Sequence, residues 1–598
     1  MASPPDWQPR RAALWLTALF LVSFALRALL TTEVKSPFIF LDELVYPRLA
    51  VGIGHSARLS LFGATGLTYP PLYPLALAPI YALHASGTTA YTWIKIFNAL
   101  LMSLALFPIY KIGRFVLPRR HALIVAGLAA LAPLMYYTTL AMSENLAYPL
   151  CMFSLWAMLA AIQAPSVRRD AVLLVSIAAA TGARLQMVAL FPAALTAIAV
   201  VALLSDRDGV GAVRAVAQRL RRHRLLVAAT IALVVAEAVA KLTGHSLFSA
   251  TGNYSSLGSS SAQSPWTVAR IAVQQLAELS LALAVVPFAG TLVAAYVFFR
   301  FGRRRGDTAI FAAVALAVTF WMLVEVADAA AAITPSELPR IHERYLIYLI
   351  PLFITAFVAA IRLPTKRLSV RVTASAAVVA ALAPALIPFH KVVNNTIVGD
   401  TFGLDAFARQ TAHDKIVALH NPVSTAVIIA AAFVAVFVLA RHALPAVVIA
   451  VAVFFVIFSL VVRGRITSAS LGATKVLTHH NWVDDARPRG SVAILFGPGM
   501  TREVALQTAF YNLSVSRIYY VCTIQSGTTI GDAVTVGRGG SILERGRAVQ
   551  VDYAVVSQAF RVRGVEVARD KKRKVLVIKT SPGSLRLLPG ERTHCTSS

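Results

Sequence analysis

Long apolar stretches recur along almost the whole chain and decide what it can fold into. The sequence has 598 residues, of which 58% are hydrophobic and 14% are charged, and its mean hydropathy is +0.69. A soluble domain needs more polar surface than this. We therefore expect a polytopic α-helical membrane protein with about 13 transmembrane helices, each formed by roughly 20 apolar residues. The predicted spans are residues 12–30, 91–112, 121–141, 145–163, 171–187, 188–204, 225–243, 271–299, 309–330, 345–361, 373–389, 423–440 and 444–462.

The basic residues indicate how these spans are oriented. The chain has 56 Lys and Arg against 27 Asp and Glu, a net charge of +29. Basic residues cluster in alternate short loops such as 207–224, whereas residues 245–268 contain no Lys or Arg. Cytoplasmic loops are the ones enriched in Lys and Arg. We expect a multi-pass protein of an inner or plasma membrane, with a cytoplasmic N-terminus and an extracytoplasmic C-terminus. No basic stripe with interleaved aromatic residues occurs, which argues against nucleic acid as a partner.

The first span and the cysteines bear on processing and redox state. Residues 12–30 follow Arg10 and Arg11, and no small-residue cleavage site comes after them, so we expect an uncleaved span. Two of the three cysteines, Cys522 and Cys595, lie in the polar C-terminal part. They could pair as a disulfide or remain thiols, and the sequence leaves both alternatives open.

Two regions outside the spans differ in composition. The first outer loop, residues 31–90, contains TYPPLYPLALAPIYAL, whose four prolines disfavour a straight spanning helix. This segment indicates an interfacial or re-entrant element. Residues 463–598 contain strand-like runs, SVAILFG, RIYYVC, VDYAVVS and KVLVIK, and one helical run, MTREVALQTAFYNL. We expect a transmembrane domain over residues 1–462 and a soluble α/β or α+β domain over 463–598.

Charged residues at membrane depth are costly, so they are candidates for function. The predicted topology places a set of them at the outer face, in the segments FIFLDELVYPRLA, AMSENLAYPL, TGARLQ and PRIHERYLIYLIPLF. Carboxylates that face guanidinium groups across an outward cavity suit a reaction with an anionic substrate. The set comprises Asp42, Glu43, Glu144, Arg184, Arg340, His342, Glu343, Arg344 and Tyr345.

Each member of the set also has a structural explanation. The acidic pair can start a helix or face water, and Glu144 fits a first-turn acid that the helix dipole favours. Arg184 and Arg344 can reach lipid phosphates. The joint pattern, rather than any one residue, favours a functional site. Three acids within apolar runs are further candidate partners for the arginines: Glu278, Glu325 and Asp328.

The order of these motifs resembles the GT-C superfamily of integral membrane glycosyltransferases, such as protein O-mannosyltransferases and lipid A aminoarabinose transferases. LDELVYPRLA resembles the family's first-loop acidic motif, and TYPPLYPL resembles its PPL(Y) segment. SENLAYPL is similar to the acidic start of the fourth span, and HERYLIYLIP to the Arg-Tyr start of a late span. In the aminoarabinose transferases a lysine precedes the PPL segment. Here that position is Tyr69, so Arg184, Arg340 or Arg344 would hold the lipid phosphate instead.

The resemblance implies an enzyme of cell-envelope or cell-wall biogenesis. It would move a hexosyl or pentosyl group from a polyprenyl-phosphate donor in the lipid bilayer to an acceptor hydroxyl on a glycan, lipid or protein. A phosphate leaving group needs no strong general acid, so one carboxylate base and a basic clamp suffice. We expect inverting transfer with Asp42 as general base.

The expected roles of the other site residues follow from the same resemblance. Glu43 and Glu144 would orient the acceptor, or a divalent cation (Mg, Mn or Ca) would be shared by Asp42 and Glu144. No other cofactor is implied. The expected substrate-binding residues are Arg184, Arg340, His342, Arg344, Tyr345 and Tyr69.

Two other classes of protein remain as alternatives. A polytopic transporter or lipid flippase without transferase activity would also be a large bundle with few intramembrane charges. Transporters often contain two related halves, whereas this sequence has no evident repeat and its charges gather at the outer face. A scaffold or receptor without catalytic activity would tolerate substitution of Asp42.

Overall fold

The computed structural model describes residues 6–37, 41–62, 64–65, 69–83, 86–205, 211–243, 264–301, 306–333, 341–362, 370–389, 401–412, 421–440, 444–476, 480–521, 530–581 and 585–588. Arg340, Cys522 and Cys595 lie outside the described residues, so the predictions made for them stay predictions. Cys151 is a buried free thiol.

The membrane part is built from helices. They are Pro9–Thr31, Leu41–Ser56, Leu72–Leu83, Gly87–Leu104, Leu106–Val116, Arg119–Leu131, Glu144–Gln163, Val167–Ala183, Leu190–Ser205, Ala212–Leu220, Arg224–Leu242, Pro265–Ala282, Val286–Phe301, Gly306–Ile333, Glu343–Leu346, Ile350–Ile361, Val370–Leu382, Phe402–Ala412, Pro422–Ala440 and Leu444–Val476. Short 3-10 segments occupy Pro133–Thr139, Leu185–Ala189, Ile347–Leu349 and Ala383–Leu386. Fully buried side chains such as Tyr148, Phe357 and Phe455 lie in the apolar core of the bundle.

Within the described residues, 8 helices are long and apolar enough to cross a membrane, or up to 9 if a bent pair counts as one span. They are Pro9–Thr31, Gly87–Val116, Glu144–Gln163, Leu185–Leu204, Arg224–Leu242, Gly306–Ala331, Glu343–Ile361 and Pro445–Ser468. Shorter apolar helices are Leu72–Leu83, Val370–Leu386 and Pro422–Ala435. The predicted polytopic helical membrane fold is confirmed, whereas the exact count of 13 spans is not.

One predicted span is broken. The hydrophobic pattern predicts one helix over residues 271–299, but the chain forms two there, Pro265–Ala282 and Val286–Phe301, which meet at an angle of 115°. Ala284 and Val285 at the break both have a φ of 59°, a conformation that is costly for a β-branched residue. Neither Gly nor Pro occupies the break, so the hydrophobic pattern alone predicts a continuous helix.

The long first loop, residues 31–90, contains two helices. Leu41–Ser56, hereafter the acidic helix, has Asp42 and Glu43 in its first turn, where the helix dipole favours carboxylates. Helix Leu72–Leu83 has 12 residues, which is too short to cross a bilayer and is the length expected of an interfacial or re-entrant element. Between them, strands β1 (Ser60–Leu61) and β2 (Ala64–Thr65) pair antiparallel.

The C-terminal domain, residues 480–588, is built around a mixed sheet. Six strands pair in the order β10-β11-β9-β3-β4-β5. Its central pairs, β3 with β4 and β3 with β9, are parallel, and the pairs that β11 makes are antiparallel. The strands are β3 (Val492–Phe496), β4 (Val515–Tyr520), β5 (Asp532–Ala533), β9 (Tyr553–Ser557), β10 (Gly564–Asp570) and β11 (Val575–Thr580), and a smaller sheet contains β6 (Thr535–Val536), β7 (Ile542–Glu544) and β8 (Arg547–Ala548).

A helix connects the two central parallel strands. This helix, Arg502–Tyr511, hereafter the docking helix, lies between β3 and β4 in sequence, and the hydroxyl of Thr501 caps it by accepting from the N–H of Val504. The four strand-like runs of the sequence coincide with β3, β4, β9 and β11, and the helical run coincides with the docking helix. The last membrane helix continues to Val476, past the predicted domain boundary after Val462.

Candidate active site

Asp42 and Glu43 occupy different environments although they are neighbours. The side chain of Asp42 is 20% exposed, whereas Glu43 is fully buried. The Glu43 carboxylate accepts from the N–H of Ala141 at 3.4 Å, in the turn that leads to Glu144. Of the pair, only Asp42 is open to an incoming substrate.

Glu144 and Arg184 form a buried ion pair. Glu144 is the first residue of helix Glu144–Gln163, and Arg184 directly follows the helix that ends at Ala183. Arg184 Nη1 lies 3.0 Å from Glu144 Oε1 and donates to the hydroxyl of Ser143 at 3.3 Å. The two side chains are 5% and 0% exposed, so each charge needs the other as its partner.

Arg344 joins this pair to the acidic helix. Its Nη1 lies 3.3 Å from Asp42 Oδ2 and 3.3 Å from Glu144 Oε1. Asp42, Arg344, Glu144 and Arg184 therefore form a row of alternating negative and positive charges, hereafter the ion-pair row. Exposure falls along the row, from 20% at Asp42 to 10% at Arg344 and 5% or less at the other two. The row thus runs from the accessible end of the acidic helix into the bundle.

Aromatic rings hold both guanidinium groups in place. The Cζ atoms of Arg184 and Arg344 lie 4.5 and 4.9 Å from the centre of the Tyr345 ring, and Arg344 Nη2 donates to the Tyr345 hydroxyl at 3.1 Å. The His342 ring stacks on the Tyr345 ring, with 4.6 Å between their centres. A guanidinium over an aromatic face keeps its charge while its donors stay free to bind oxygen atoms.

Two other predicted residues lie away from the row. Both carboxylate oxygens of Glu343 accept backbone N–H groups, from Gly403 and from Leu404, at the start of helix Phe402–Ala412. That contact is a helix cap and places Glu343 in a structural role. Tyr69 packs against Tyr46 with 6.2 Å between ring centres, so it belongs to an aromatic cluster beside the acidic helix.

Sequence reasoning missed two buried polar residues, of which Gln186 contacts the site directly. Gln186 accepts from Arg184 Nε at 3.1 Å and donates to the Tyr345 carbonyl at 3.0 Å. Lys95 is buried and donates to the carbonyls of Thr31 and Val34. A lysine inside an apolar helix is itself a signal of function, and it could have been picked out; Gln186 carries no comparable signal.

The ion-pair row does not fit a divalent cation. No group of three or more His, Cys, Asp or Glu suitable for a metal ion occurs in the described part of the chain. Asp42 and Glu144 are the expected ligands, and Arg344 lies between them at ion-pair distance from both. Mg²⁺ and Ca²⁺ require several oxygen ligands at about 2.0–2.6 Å, and a guanidinium in that position excludes them.

One protein family model matches the chain. Residues 68–240 match the family described as dolichyl-phosphate-mannose-protein mannosyltransferase. This range includes helix Leu72–Leu83, Glu144 and Arg184, and it precedes Arg344. A comparison with proteins of curated function finds no match.

Solved structures of two proteins match most of the length of the chain. ArnT from Cupriavidus metallidurans bound to undecaprenyl phosphate covers 96% of this chain and 100% of its own, with 15% identity and a TM-score of 0.50. The apo state of the same ArnT covers 96% and 99%, with 16% identity and a TM-score of 0.47. The apo oligosaccharyltransferase of Archaeoglobus fulgidus matches more weakly, with 83% and 64% covered, 12% identity and a TM-score of 0.42.

The family match and the ArnT likeness agree with the motifs. The family match covers residues 68–240, and the ArnT likeness, at 15% identity, shows a shared fold. They confirm the resemblance predicted from the sequence: the chain has the GT-C fold of the integral membrane glycosyltransferases.

Proposed function

We propose that the chain transfers a hexosyl or pentosyl group from a polyprenyl-phosphate donor to an acceptor hydroxyl outside the membrane. The single observation that carries the proposal is the position of Arg344, whose Nη1 lies 3.3 Å from both Asp42 and Glu144. Arg344 thereby places an anion-binding guanidinium beside a partly exposed carboxylate, that of Asp42. The ArnT structure, which contains undecaprenyl phosphate, supports the choice of donor.

The reaction we propose is a single displacement with inversion. The acceptor oxygen forms a bond to the anomeric carbon as the bond from that carbon to the donor phosphate oxygen breaks. Asp42 takes the proton of the acceptor hydroxyl, and a positioned general base contributes roughly 10²- to 10⁴-fold to such a rate. The departing lipid phosphate takes the bonding electrons and leaves as an anion.

Arg344 and Arg184 stabilise that leaving anion. Guanidinium groups bind phosphate oxygens bidentately, and their effect is greatest in a site from which water is excluded. Both side chains are buried, Arg184 more completely than Arg344. Tyr345, stacked on both, fixes their planes, and His342 fixes Tyr345. Glu144 orients the two guanidinium groups, and Glu43 holds the turn that leads to Glu144 through the N–H of Ala141, so neither buried carboxylate contacts the acceptor. Tyr69 lines the approach beside the acidic helix.

The proposed location follows from the charge of the loops. The N-terminus is cytoplasmic, the C-terminal domain is extracytoplasmic, and the protein resides in the inner or plasma membrane. The acceptor is then a glycan, lipid or protein of the cell envelope. Cysteine labelling of intact cells tests this topology in a background in which Cys151, Cys522 and Cys595 are changed to Ser: an introduced cysteine at Arg547 reacts with an impermeant maleimide, and one at Arg169 does not.

The test of the function is transfer of radiolabelled sugar from polyprenyl-phosphate donors in isolated membranes. We expect transfer by the wild type and its loss in Asp42→Asn, which keeps the size of the side chain but removes the base. The matched control is Asp307→Asn, because Asp307 is an exposed carboxylate at the start of another helix. Near-full activity of Asp42→Asn would remove Asp42 from the mechanism. A transporter or flippase would show no transfer with any donor.

A further inference from the structure

The C-terminal domain contacts the acidic helix through Arg48. Arg48, about two helical turns after Asp42, is buried. Its Nη1 donates to the carbonyl of Asn512 at 3.2 Å, and its Nη2 donates to the carbonyl of Val515. Arg48 has no carboxylate at ion-pair distance among the described residues. Its donors are used on the backbone of another domain.

Asn512 is held rigidly enough to serve as an anchor. Its side-chain oxygen accepts from the N–H groups of Val483 and Asp484 at 2.9 and 3.1 Å. Its side-chain nitrogen donates to the carbonyls of His480 and Thr508 at 3.0 and 2.9 Å. The side chain therefore uses both of its ends, and the carbonyl that Arg48 contacts belongs to a fixed turn at the end of the docking helix.

Apolar packing extends the same contact. Leu44, Val45 and Leu49 of the acidic helix are fully buried and share one core with Val504 and Phe510 of the docking helix. Burial of such side chains contributes about 1.5–3 kcal/mol each. Together with Arg48, the three leucine and valine positions form one face of the helix, because residues three and four apart lie on the same side of a helix.

The chain that leads into the acidic helix is also fixed. Ser470, on the last membrane helix, accepts from the N–H groups of Lys35 and Ser36 at 2.9 and 3.2 Å. The hydroxyl of Tyr511, the last residue of the docking helix, donates to the carbonyl of Lys35 at 3.4 Å. The C-terminal domain thus contacts the segment before Asp42 as well as the helix after it.

A glycine marks how closely the two domains approach. A Cβ atom at Gly87, the first residue of helix Gly87–Leu104, would lie 2.2 Å from the carbonyl oxygen of Tyr511. Beside it, the side chain of Asn481 donates to the hydroxyl of Thr88 at 3.3 Å. Any side chain at Gly87 would have to push the docking helix away from the membrane domain.

We infer that the C-terminal domain is a positioning element of the active site, and that Arg48 is the positioning residue through which it acts. The contact of Arg48 with Asn512 and Val515 holds the acidic helix so that Asp42 faces Arg344. The inference rests on the proposed role of Asp42. It assigns no substrate contact to Arg48. A displacement of about 1 Å at a reacting group costs up to roughly 100-fold in rate, so a small tilt of this helix is enough to matter.

The donor phosphate is bound by residues on other helices. Arg184 and Arg344 follow or begin helices that Arg48 does not contact. Loss of the Arg48 contact should therefore lower kcat without raising the KM for the donor. A residue needed only for folding would lower the amount of folded protein. The kcat and the donor KM of the protein that did fold would stay the same.

The test compares Arg48→Ala and Arg48→Lys with the control Arg547→Ala, an exposed arginine on β8 of the same domain. For Arg48→Ala we expect a fall in kcat of about 10- to 100-fold, with a donor KM no more than about 2-fold above that of the wild type. Arg48→Lys should recover part of the loss, because an ammonium can reach one carbonyl but not bind both as a fork. Gly87→Ala alters the contact between helix Gly87–Leu104 and the docking helix and leaves the acidic helix unchanged in sequence. It should also lower kcat without raising the donor KM.

Hydrogen exchange of residues 41–56 in the full chain provides a readout that needs no activity. Arg48→Ala and Gly87→Ala should both accelerate exchange there, and Arg547→Ala should not. If the wild type transfers no sugar, the proposed function fails, while exchange still decides whether the C-terminal domain holds the helix. The inference is overturned if exchange in Arg48→Ala matches the control, or if the variant raises the donor KM at constant kcat.

Discussion

Asp42 and Arg344 lie 302 residues apart in the chain and meet at 3.3 Å through Oδ2 and Nη1. The long first loop supplies the carboxylate, and a late helix supplies the guanidinium. Residues this far apart come together only when the bundle and the acidic helix are both in place. The contact therefore reports the assembled site, and substitutions at either residue test it.

Arg344→Ala should weaken donor binding. The substitution removes the cation that both Asp42 and Glu144 face, and loss of one phosphate-stabilising donor costs about 10²- to 10³-fold in kcat/KM. Arg344→Lys should retain part of the activity, since lysine keeps the charge but not the planar fork. The measurement is the KM for polyprenyl-phosphate sugar together with binding of undecaprenyl phosphate. Arg569→Ala, an exposed arginine on β10, is the control. Equal donor affinity in Arg344→Ala and the control would contradict the assignment.

Glu144→Gln should destabilise the fold. The substitution leaves two buried guanidinium groups with one fewer counter-charge, and breaking a buried ion pair in this way costs about 3–5 kcal/mol. The double variant Glu144→Gln/Arg184→Met should recover much of that loss, because it removes the uncompensated charge as well. Thermal unfolding in detergent measures both. A double variant no more stable than Glu144→Gln would show that the pair is not the cause.

Removal of divalent cations should leave transfer within about 2-fold of its untreated rate, because Arg184 and Arg344 supply the positive charge that a metal would otherwise provide. The experiment is dialysis against EDTA followed by the transfer assay, with Mg²⁺, Mn²⁺ or Ca²⁺ added back. Loss of activity that one of these ions restores would support the alternative in which Asp42 and Glu144 share a cation.

Acid should weaken the C-terminal domain through Asp552. Hydrogen bonds from the N–H and hydroxyl of Ser491, at 2.7 and 2.9 Å, lower the pKa of the Asp552 carboxyl. An unfolded aspartate has a pKa of about 3.9. Because the folded pKa is lower, this contribution to stability is present above about pH 4 and is lost as pH falls through the folded pKa.

The comparison that isolates this effect is wild type against Asp552→Asn. The urea midpoint of the C-terminal domain, read by pulse proteolysis with pepsin on the full chain, should drop more for the wild type between about pH 4.5 and about pH 2.5. The control is Asp570→Asn, which changes another carboxylate of the same domain. Its urea midpoint should still show the part of the fall at low pH that Asp552 causes. Identical drops in wild type and Asp552→Asn would exclude the Ser491 contact as the cause.

The membrane helices and the ion-pair row could be predicted from the sequence. Hydrophobic runs fix where helices lie, and charges are so costly at membrane depth that Asp42, Glu144, Arg184 and Arg344 can be grouped from the sequence alone. Their pairing follows from the need of each buried charge for a partner. Glu343 belongs to the same group by its position in the sequence, but it caps a helix, since neighbours in sequence point in different directions.

The contact that holds the acidic helix against the C-terminal domain could not be predicted from the sequence. Arg48 and Asn512 are 464 residues apart, and neither belongs to a pattern that hydrophobic periodicity detects. The break at Ala284 and Val285 depends on tertiary packing that overrides local preference, because neither residue favours a positive φ. Contacts between domains and local strain are properties of the folded chain as a whole.

The alternating signs of the ion-pair row have a consequence for how the enzyme meets its donor. The resting site is already electrically balanced, with Asp42 and Glu144 neutralising the two guanidinium groups. In the proposed mechanism, a lipid phosphate that binds Nη1 of Arg344 displaces a carboxylate from it. Donor binding is then an exchange of one anion for another, and the carboxylate it releases is Asp42, the more exposed of the two. Arrival of the donor would itself free the base.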